Sequence, residues 1–287
     1  MSQVRTRQNE KQMLRIQYAA RHCFNRAEKL NILIWAFCIL AELTIFLPSS
    51  MPDKVELGIP VLIDLAALLS SWKMVKNVSL GASFRKYFDA YVLGFGLESF
   101  SRSEEQNLLK PALKIEQKHP ETAKTQMTNT GRDKPPGVKD WYELSDIFSP
   151  EDEAYECQRM NCEWNNRLAK ERLFKSVGLI CVLVAVTVLL HWATNTDIWK
   201  TLLCCSALLI RCGERIWANT KYILISYEID SVLKNLSDSR TEDNVKKLQD
   251  LLDTRREMPV LEKNRIHKRR AKSYSEEIQN INEISRR

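Results

Sequence analysis

Val177-Gly178-Leu179-Ile180-Cys181-Val182-Leu183-Val184-Ala185-Val186-Thr187-Val188-Leu189-Leu190-His191-Trp192-Ala193 decides the fold of this chain. The stretch is β-branched and Leu-rich, and His191 is its single interruption. A helix of that composition in a soluble core would show a polar face at the 3.6-residue period, and this one shows none. It is therefore predicted to cross a membrane as a helix.

Three further stretches join it. Residues 198–217 carry Lys200 and Arg211 toward the two ends, where long side chains can snorkel to the interface, and Glu214 and Arg215 mark the exit into water. Residues 30–47 form an apolar run with Glu42 as its one charge, ended by Pro48. Residues 55–75 are weaker, because Glu56 lies near the start and Asp64 inside. A central Asp costs about 2.5–3.5 kcal/mol, while the eight Leu, Ile and Val residues around it each return about 0.3–0.6. The terms nearly balance, and pairing with 30–47 as a hairpin tips the segment into the bilayer.

The chain has 287 residues of which 28% are charged, which would read as soluble if the charges were evenly spread. They are segregated instead. Seven Lys and Arg precede the first apolar run, and Lys73, Lys76, Arg85, Lys86, Arg167, Lys170, Arg172 and Lys175 bracket the middle of the chain. The short turns hold only Lys54 in the first and none in the second before Lys200. Cationic residues resist translocation, so both termini and the middle are expected on the cytoplasmic side. The charged start, with its late apolar run, does not read as a cleavable signal peptide.

The expected organisation is all-α: an integral membrane protein with four transmembrane helices as two hairpins, a mainly helical cytoplasmic middle segment and C-terminal helices. Residues 1–29 form a cytoplasmic amphipathic helix, with Met13, Ile16, Ala20, Phe24 and Ala27 at helical spacing. Residues 30–75 are the first hairpin, 76–176 the middle domain, 177–217 the second hairpin and 218–287 the C-terminal helices and basic tail. Phe84, Tyr87, Phe88, Tyr91, Val92 and Phe95 make an apolar stripe that extends the second span as a packed helix. Polar residues 111–136 are expected to be a mobile excursion. Ser149-Pro150-Glu151-Asp152 then supplies an N-cap, a first-turn proline and acids, starting a helix with Cys157, Met160, Trp164 and Leu168 on one side. Residues 221–236 and the stripe Val245, Leu248, Leu251 and Leu252 read as helices, the second closed by Pro259. The run Lys263, Arg265, Lys268, Arg269, Arg270 and Lys272 reads as solvated or lipid-facing.

The net charge of +7 fits an anionic partner. Of eight cysteines, Cys38, Cys181, Cys204, Cys205 and Cys212 lie in or at the end of apolar runs and read as small buried hydrophobes. Cys157 and Cys162 have no zinc-knuckle spacing, so no metal site is expected. The chain carries no glycine-rich phosphate loop, dinucleotide fingerprint, nucleophile elbow or two-histidine motif. No catalytic residue and no cofactor are assigned, and the chain does not read as an enzyme.

Two groups of candidate site residues emerge. Glu42 and Asp64 lie at comparable distances from the first turn, and an intramembrane carboxylate either lines an ion path or is satisfied between helices. Arg132, Lys134, Lys139, Trp141 and Tyr142, with Arg159 and Trp164 beyond, mix cations with aromatic faces. That mixture suits a nucleotide, whose phosphates pair with cations and whose bases stack on rings; ordinary packing beside a basic surface is the alternative.

Gln8-Asn9-Glu10, Phe88-Asp89-Ala90-Tyr91-Val92, Gly137-Val138-Lys139-Asp140-Trp141-Tyr142 and Cys157-Gln158-Arg159-Met160-Asn161, followed by Trp164 and Leu168, give the chain its resemblance. It resembles the SMODS-associated four-transmembrane effectors of bacterial anti-phage defence along nearly its whole length. The resemblance implies a pore-forming effector of the bacterial inner membrane, encoded beside a nucleotidyltransferase that makes a cyclic oligonucleotide on infection. Expected partners are membrane lipid, further copies of the chain as a homo-oligomer and that cyclic oligonucleotide, with no DNA. The rival reading is a non-conducting membrane anchor or scaffold that recruits a cytoplasmic partner.

Overall fold

Each long apolar run is prolonged by amphipathic sequence, and the resulting helices are longer than a bilayer needs. A span takes about 20 residues, whereas α2 (Lys11–Leu43) has 33, α3 (Asp53–Leu93) 41, α6 (Pro150–Thr194) 45 and α7 (Ile198–Asp238) 41. The computed structural model describes residues 3–47, 52–94, 96–142, 150–194, 197–238 and 242–261. Shorter helices complete the described chain: α1 (Gln3–Gln8), α4 (Arg102–Lys118), α5 (Pro120–Thr128) and α8 (Glu242–Glu257). Among the described residues the only extended pairing is an isolated bridge between Thr130 and Lys139. The protein is all-α.

The chain divides into two compact units. The first comprises Met1–Asn25, Asn77–Asn165 and Ile225–Met258; the second comprises Arg26–Lys76, Asn166–Leu224 and Pro259–Arg287.

The first unit has a conventional apolar core. Met13, Ile16, Ala20 and Cys23 of α2 pack with Phe84, Tyr87, Phe88 and Val92 of α3, with Leu108 and Ala112 of α4, and with Tyr142 and Cys157. A Cβ at Gly81 would come 3.1 Å from the Phe24 ring, so the glycine lets α2 and α3 approach closely. Helix α3 stops at Gly94, whose φ of 79° is the left-handed geometry that glycine adopts without strain. Tyr155 and Cys162 of α6, Ile229, Val232 and Leu236 of α7, and Leu248 and Leu252 of α8 form another core cluster. The predicted terminal helix is α8, followed by Pro259 as expected.

The excursion expected over 111–136 is a correction. Pro111 lies inside α4, and α5 follows directly. A full capping box starts α4: the Ser101 hydroxyl accepts from the Glu104 amide at 3.3 Å, and the Glu104 carboxylate accepts from the Ser101 amide at 2.8 Å. Leu108 and Ala112, one turn apart, bury the stripe that holds α4 in place. A narrow apolar stripe suffices because most of the helix faces water, which is why mean polarity hid it.

Helices Lys11–Phe46, Lys54–Leu93 and Leu173–Ala193 are long and apolar enough to cross a membrane. Their exterior is greasy: Leu62 is 67% exposed, Leu68 64% and Val182 60%. An apolar surface of that extent is suited to hydrocarbon. Cys181 is exposed on the same kind of surface rather than buried, because its helix buries little of itself against the rest of the chain; the other cysteines are buried, and all are free thiols. Helix α7 differs: only ten uncharged residues separate Lys200 from Arg211.

Ser149, Phe95 and residues 262–287, including the basic run, lie outside the described residues, as do the side chains of Met160, Trp164 and Leu168.

Candidate functional site: a buried carboxylate network and polar groups in the apolar helices

Asp89 sits on α3 with 1% exposure, so its charge must be met by protein groups. Its Oδ1 accepts the Tyr142 hydroxyl at 2.8 Å, and its Oδ2 accepts Arg256 Nη1 at 2.6 Å and Gln249 Nε2 at 3.4 Å. Arg256 also donates to Asp253 at 3.1 Å, as does Gln249 at 3.0 Å. Gln158 of α6 donates to Gln249 at 3.0 Å and extends the network to a third helix. Burial pushes the Asp253 carboxyl up to about 6; Arg256 pulls it down and the neighbouring Asp89 charge adds to the rise. Burial works against the Arg256 cation, but Asp89, Tyr142 and Asp253 outweigh it and hold the guanidinium above its ordinary range.

The segment ending at Tyr142 is tied down along its length. Gln8 clamps the Tyr142 backbone, accepting its N–H at 2.8 Å and donating to its carbonyl at 3.2 Å. Asn9 does the same for Asp140, receiving its N–H at 3.1 Å and donating to its carboxylate at 2.7 Å. Asp140 has a φ of 50°, which a short polar side chain tolerates best. Arg21 Nη1 donates to the carbonyls of Pro136 and Gly137, both at 2.9 Å. Gly137 is required sterically: a Cβ there would fall 1.7 Å from the Asn129 oxygen.

The candidate ligand residues divide on this scaffold. Arg132, Lys134, Lys139 and Trp141 are exposed, and they share the tethered segment. The Arg85 guanidinium lies 3.9 Å from the Trp141 ring centroid, a cation stacked on an indole. Tyr142 points inward to Asp89 and is 3% exposed. Arg159 of α6 pairs with Glu156 at 2.8 Å. Arg85, Asp89, Gln249 and Arg256 were not singled out as site residues from sequence. A signal existed for Arg256, which continues the Leu248 and Leu252 row by one more turn; a cation on an apolar row calls for a buried acid.

Polar groups also face inward within the second unit. Glu42 is 5% exposed and accepts the Thr187 hydroxyl at 2.6 Å, with the Cys205 thiol at 4.0 Å. Asp64 accepts the Ser206 hydroxyl at 3.2 Å, while its Oδ1 is buried without a hydrogen-bond partner. Different helices and different partners serve the two carboxylates. Arg211, expected to snorkel outward, turns inward instead: it donates to Asn31 of α2 at 2.6 Å and to Glu214 at 2.9 Å, with Met74 Sδ of α3 at 3.7 Å. Partners on two neighbouring helices outcompete the headgroup region for this cation.

The family model described as the SMODS-associating 4TM effector domain matches residues 2–284. The chain belongs to that effector family. No curated protein and no solved structure matches it. The stretches that carry the family resemblance meet in this SMODS-associating effector: Gln8 and Asn9 bind the segment holding Asp140 and Tyr142, Tyr142 binds Asp89, and Gln158 reaches Asp89 through Gln249. Glu10 accepts the Tyr91 hydroxyl at 2.7 Å, closing the same set. Four stretches far apart in sequence thus build one polar network.

Proposed function

We propose that this SMODS-associating effector permeabilises the bacterial inner membrane as a homo-oligomer when its cytoplasmic part receives a signal, a cyclic oligonucleotide made by an associated nucleotidyltransferase. In this reading four helices span as two hairpins, with both termini and the middle segment cytoplasmic, and the protein has no enzymatic activity of its own. The fourth span is α7. The exposed Trp217 lies eighteen positions after the exposed Trp199, and the exposed Trp192 eighteen positions after the exposed Phe174 on α6. Each interval is about 27 Å of helix, the thickness of a hydrocarbon core with aromatic rings at its two faces. The family name, with its four transmembrane segments, agrees.

The observation that carries the reading is the position of two carboxylates on one helix. Asp64, half-buried among apolar helices, and Asp89, the centre of the polar network, both belong to α3. A ligand that rearranges the partners of Asp89 changes the restraints on the helix that carries Asp64. It shifts the closed-to-open balance only if it binds the two states with different affinity. Conduction requires several copies, because four packed helices fill their own centre with side chains.

A non-conducting scaffold is the second reading, favoured by the hydroxyl partners that Glu42 and Asp64 already have. Liposomes carrying the purified full-length protein separate the two. Ion release that depends on an added cyclic oligonucleotide supports the effector reading, and no release with any cyclic di- or trinucleotide supports the scaffold.

A further inference from the structure

Two tryptophans of the second unit are exposed and capped by a lysine one turn further on. Trp72 on α3 is 61% exposed and has Lys76 Nζ 5.1 Å from its ring centroid; Trp217 on α7 is 65% exposed and has Lys221 Nζ 4.9 Å away. Both pairs have the order Trp then Lys at i and i+4, so each ammonium is held over an indole face by the helix itself.

The pairs lie at one end of this unit. Ser206 bonds Asp64 and Arg211 touches Met74, so α3 and α7 advance in the same direction through these contacts. Trp72 and Lys76 flank Met74, and Trp217 and Lys221 follow Arg211 on its far side from Ser206. Arg215 donates to Ser176 at 3.1 Å, bringing the start of the apolar part of α6, with exposed Lys175, to the same end. The opposite end, where α6 and α7 join, has exposed Trp192 and Trp199.

We infer that the Trp72–Lys76 and Trp217–Lys221 pairs are binding sites for the phosphodiester of anionic phospholipid headgroups. This rests on the reading of the second unit as membrane-embedded. An indole settles at headgroup depth, and an ammonium seated on it keeps N–H donors directed outward at the level of the lipid phosphate. The chemistry selects anionic over zwitterionic lipid. A choline group brings its own cation, which is repelled by the lysine and competes with it for the same ring face, whereas a glycerol headgroup leaves the ammonium–phosphate pairing unopposed.

The test uses full-length protein reconstituted in mixed phosphatidylglycerol and phosphatidylcholine, extracted gently, and measured by native mass spectrometry for the lipid retained. The wild type is expected to retain phosphatidylglycerol in preference to phosphatidylcholine. Lys76→Gln with Lys221→Gln, and separately Trp72→Ala with Trp217→Ala, are each expected to lower that preference by about fivefold or more. Lys54→Gln, which removes the same charge at the other end of α3, is expected to leave it unchanged. Equal retention of the two lipids by the wild type overturns the proposal, as does an undiminished preference in the tryptophan variant or an equal loss in the Lys54 variant. A protein that is folded and monodisperse without any detergent or lipid overturns instead the membrane reading on which the proposal stands.

Discussion

The Tyr142 hydroxyl donates to Asp89 Oδ1 at 2.8 Å, joining two stretches separated by 53 positions in the chain inside a site almost closed to water. Removing only the hydroxyl, as in Tyr142→Phe, keeps the ring against Phe88 but takes one donor from a buried carboxylate. The expected loss is about 1–3 kcal/mol. Thermal unfolding of the detergent-solubilised protein checks it, and an unchanged midpoint would show that water replaces the hydroxyl.

Arg256 pairs ionically with the buried Asp89 at 2.6 Å, so Arg256→Met should be more damaging than the tyrosine change. It leaves two buried carboxylates, Asp89 and Asp253, without their cation, and the expected cost is about 3–5 kcal/mol. Asp89→Asn in the same chain should recover part of that loss, because the amide has no charge to neutralise. A double-mutant cycle on unfolding free energies measures the recovery; strictly additive losses would contradict the pairing.

The Asp253 carboxyl predicts a pH dependence of unusual sign. Its folded value of about 6 lies above the roughly 3.9 of an unfolded chain, so between these values the folded state holds the proton and the unfolded state does not. Stability from this group is therefore fully present below about 4 and lost as pH rises through about 6, a change of about 3 kcal/mol across the window. Subtracting the same curve for Asp253→Asn removes the contributions of the other carboxylates. The difference should favour the wild type progressively as pH falls from 7.5 to 4.5, and a flat difference would rule out the raised value.

Much of this architecture could be read from residue order, and the parts that could not have physical causes. Apolar runs and positive flanks announce membrane helices because hydrocarbon tolerates nothing else, and the three helices that qualify by length and hydropathy fall where the first, second and third runs do. Stripes such as Leu248 and Leu252 announce α8 in the same way. Helix α4 escaped notice because Pro111 suggested a break and its buried row is narrow. Arg211 was misplaced because snorkelling is a property of a lone helix, and Asn31 and Met74 come from elsewhere in the chain. The Asp89 network was least legible: its members come from five separate places, and only the packing of α3, α6 and α8 brings Gln249 and Arg256 to one carboxylate and Gln158 to Gln249.

Gly137 offers a local test of the tethered segment that presents Arg132, Lys134, Lys139 and Trp141. In Gly137→Ala the new methyl would overlap the Asn129 carbonyl and lie 2.5 Å from the Gln126 oxygen, so the segment must lift away. The Gly137 and Val138 amides, which donate to Thr130 at 2.6 Å and Gln126 at 2.7 Å, would lose their geometry. A cost of about 1–3 kcal/mol is expected. Trypsin should cut at Arg132 or Lys139 faster than in the wild type while the remaining helices keep their protection, and an unchanged cleavage rate would mean the strain is relieved elsewhere.

Glu42 and Asp64 separate conduction from simple packing. Glu42→Gln and Asp64→Asn keep size and hydrogen-bonding capacity toward Thr187 and Ser206, so each variant should fold and insert. Where the carboxylates face water in an open oligomer, removing their charge lowers cation flux, because an ionised group in such a path concentrates cations and focuses the field. The double variant is expected to lose cation preference and cell toxicity while still assembling. Flux and toxicity equal to the wild type would make these two groups interhelical contacts only, and the polar path would then have to be sought among other inward-facing groups, beginning with His191, whose Nδ1 lies 3.0 Å from the Thr201 hydroxyl.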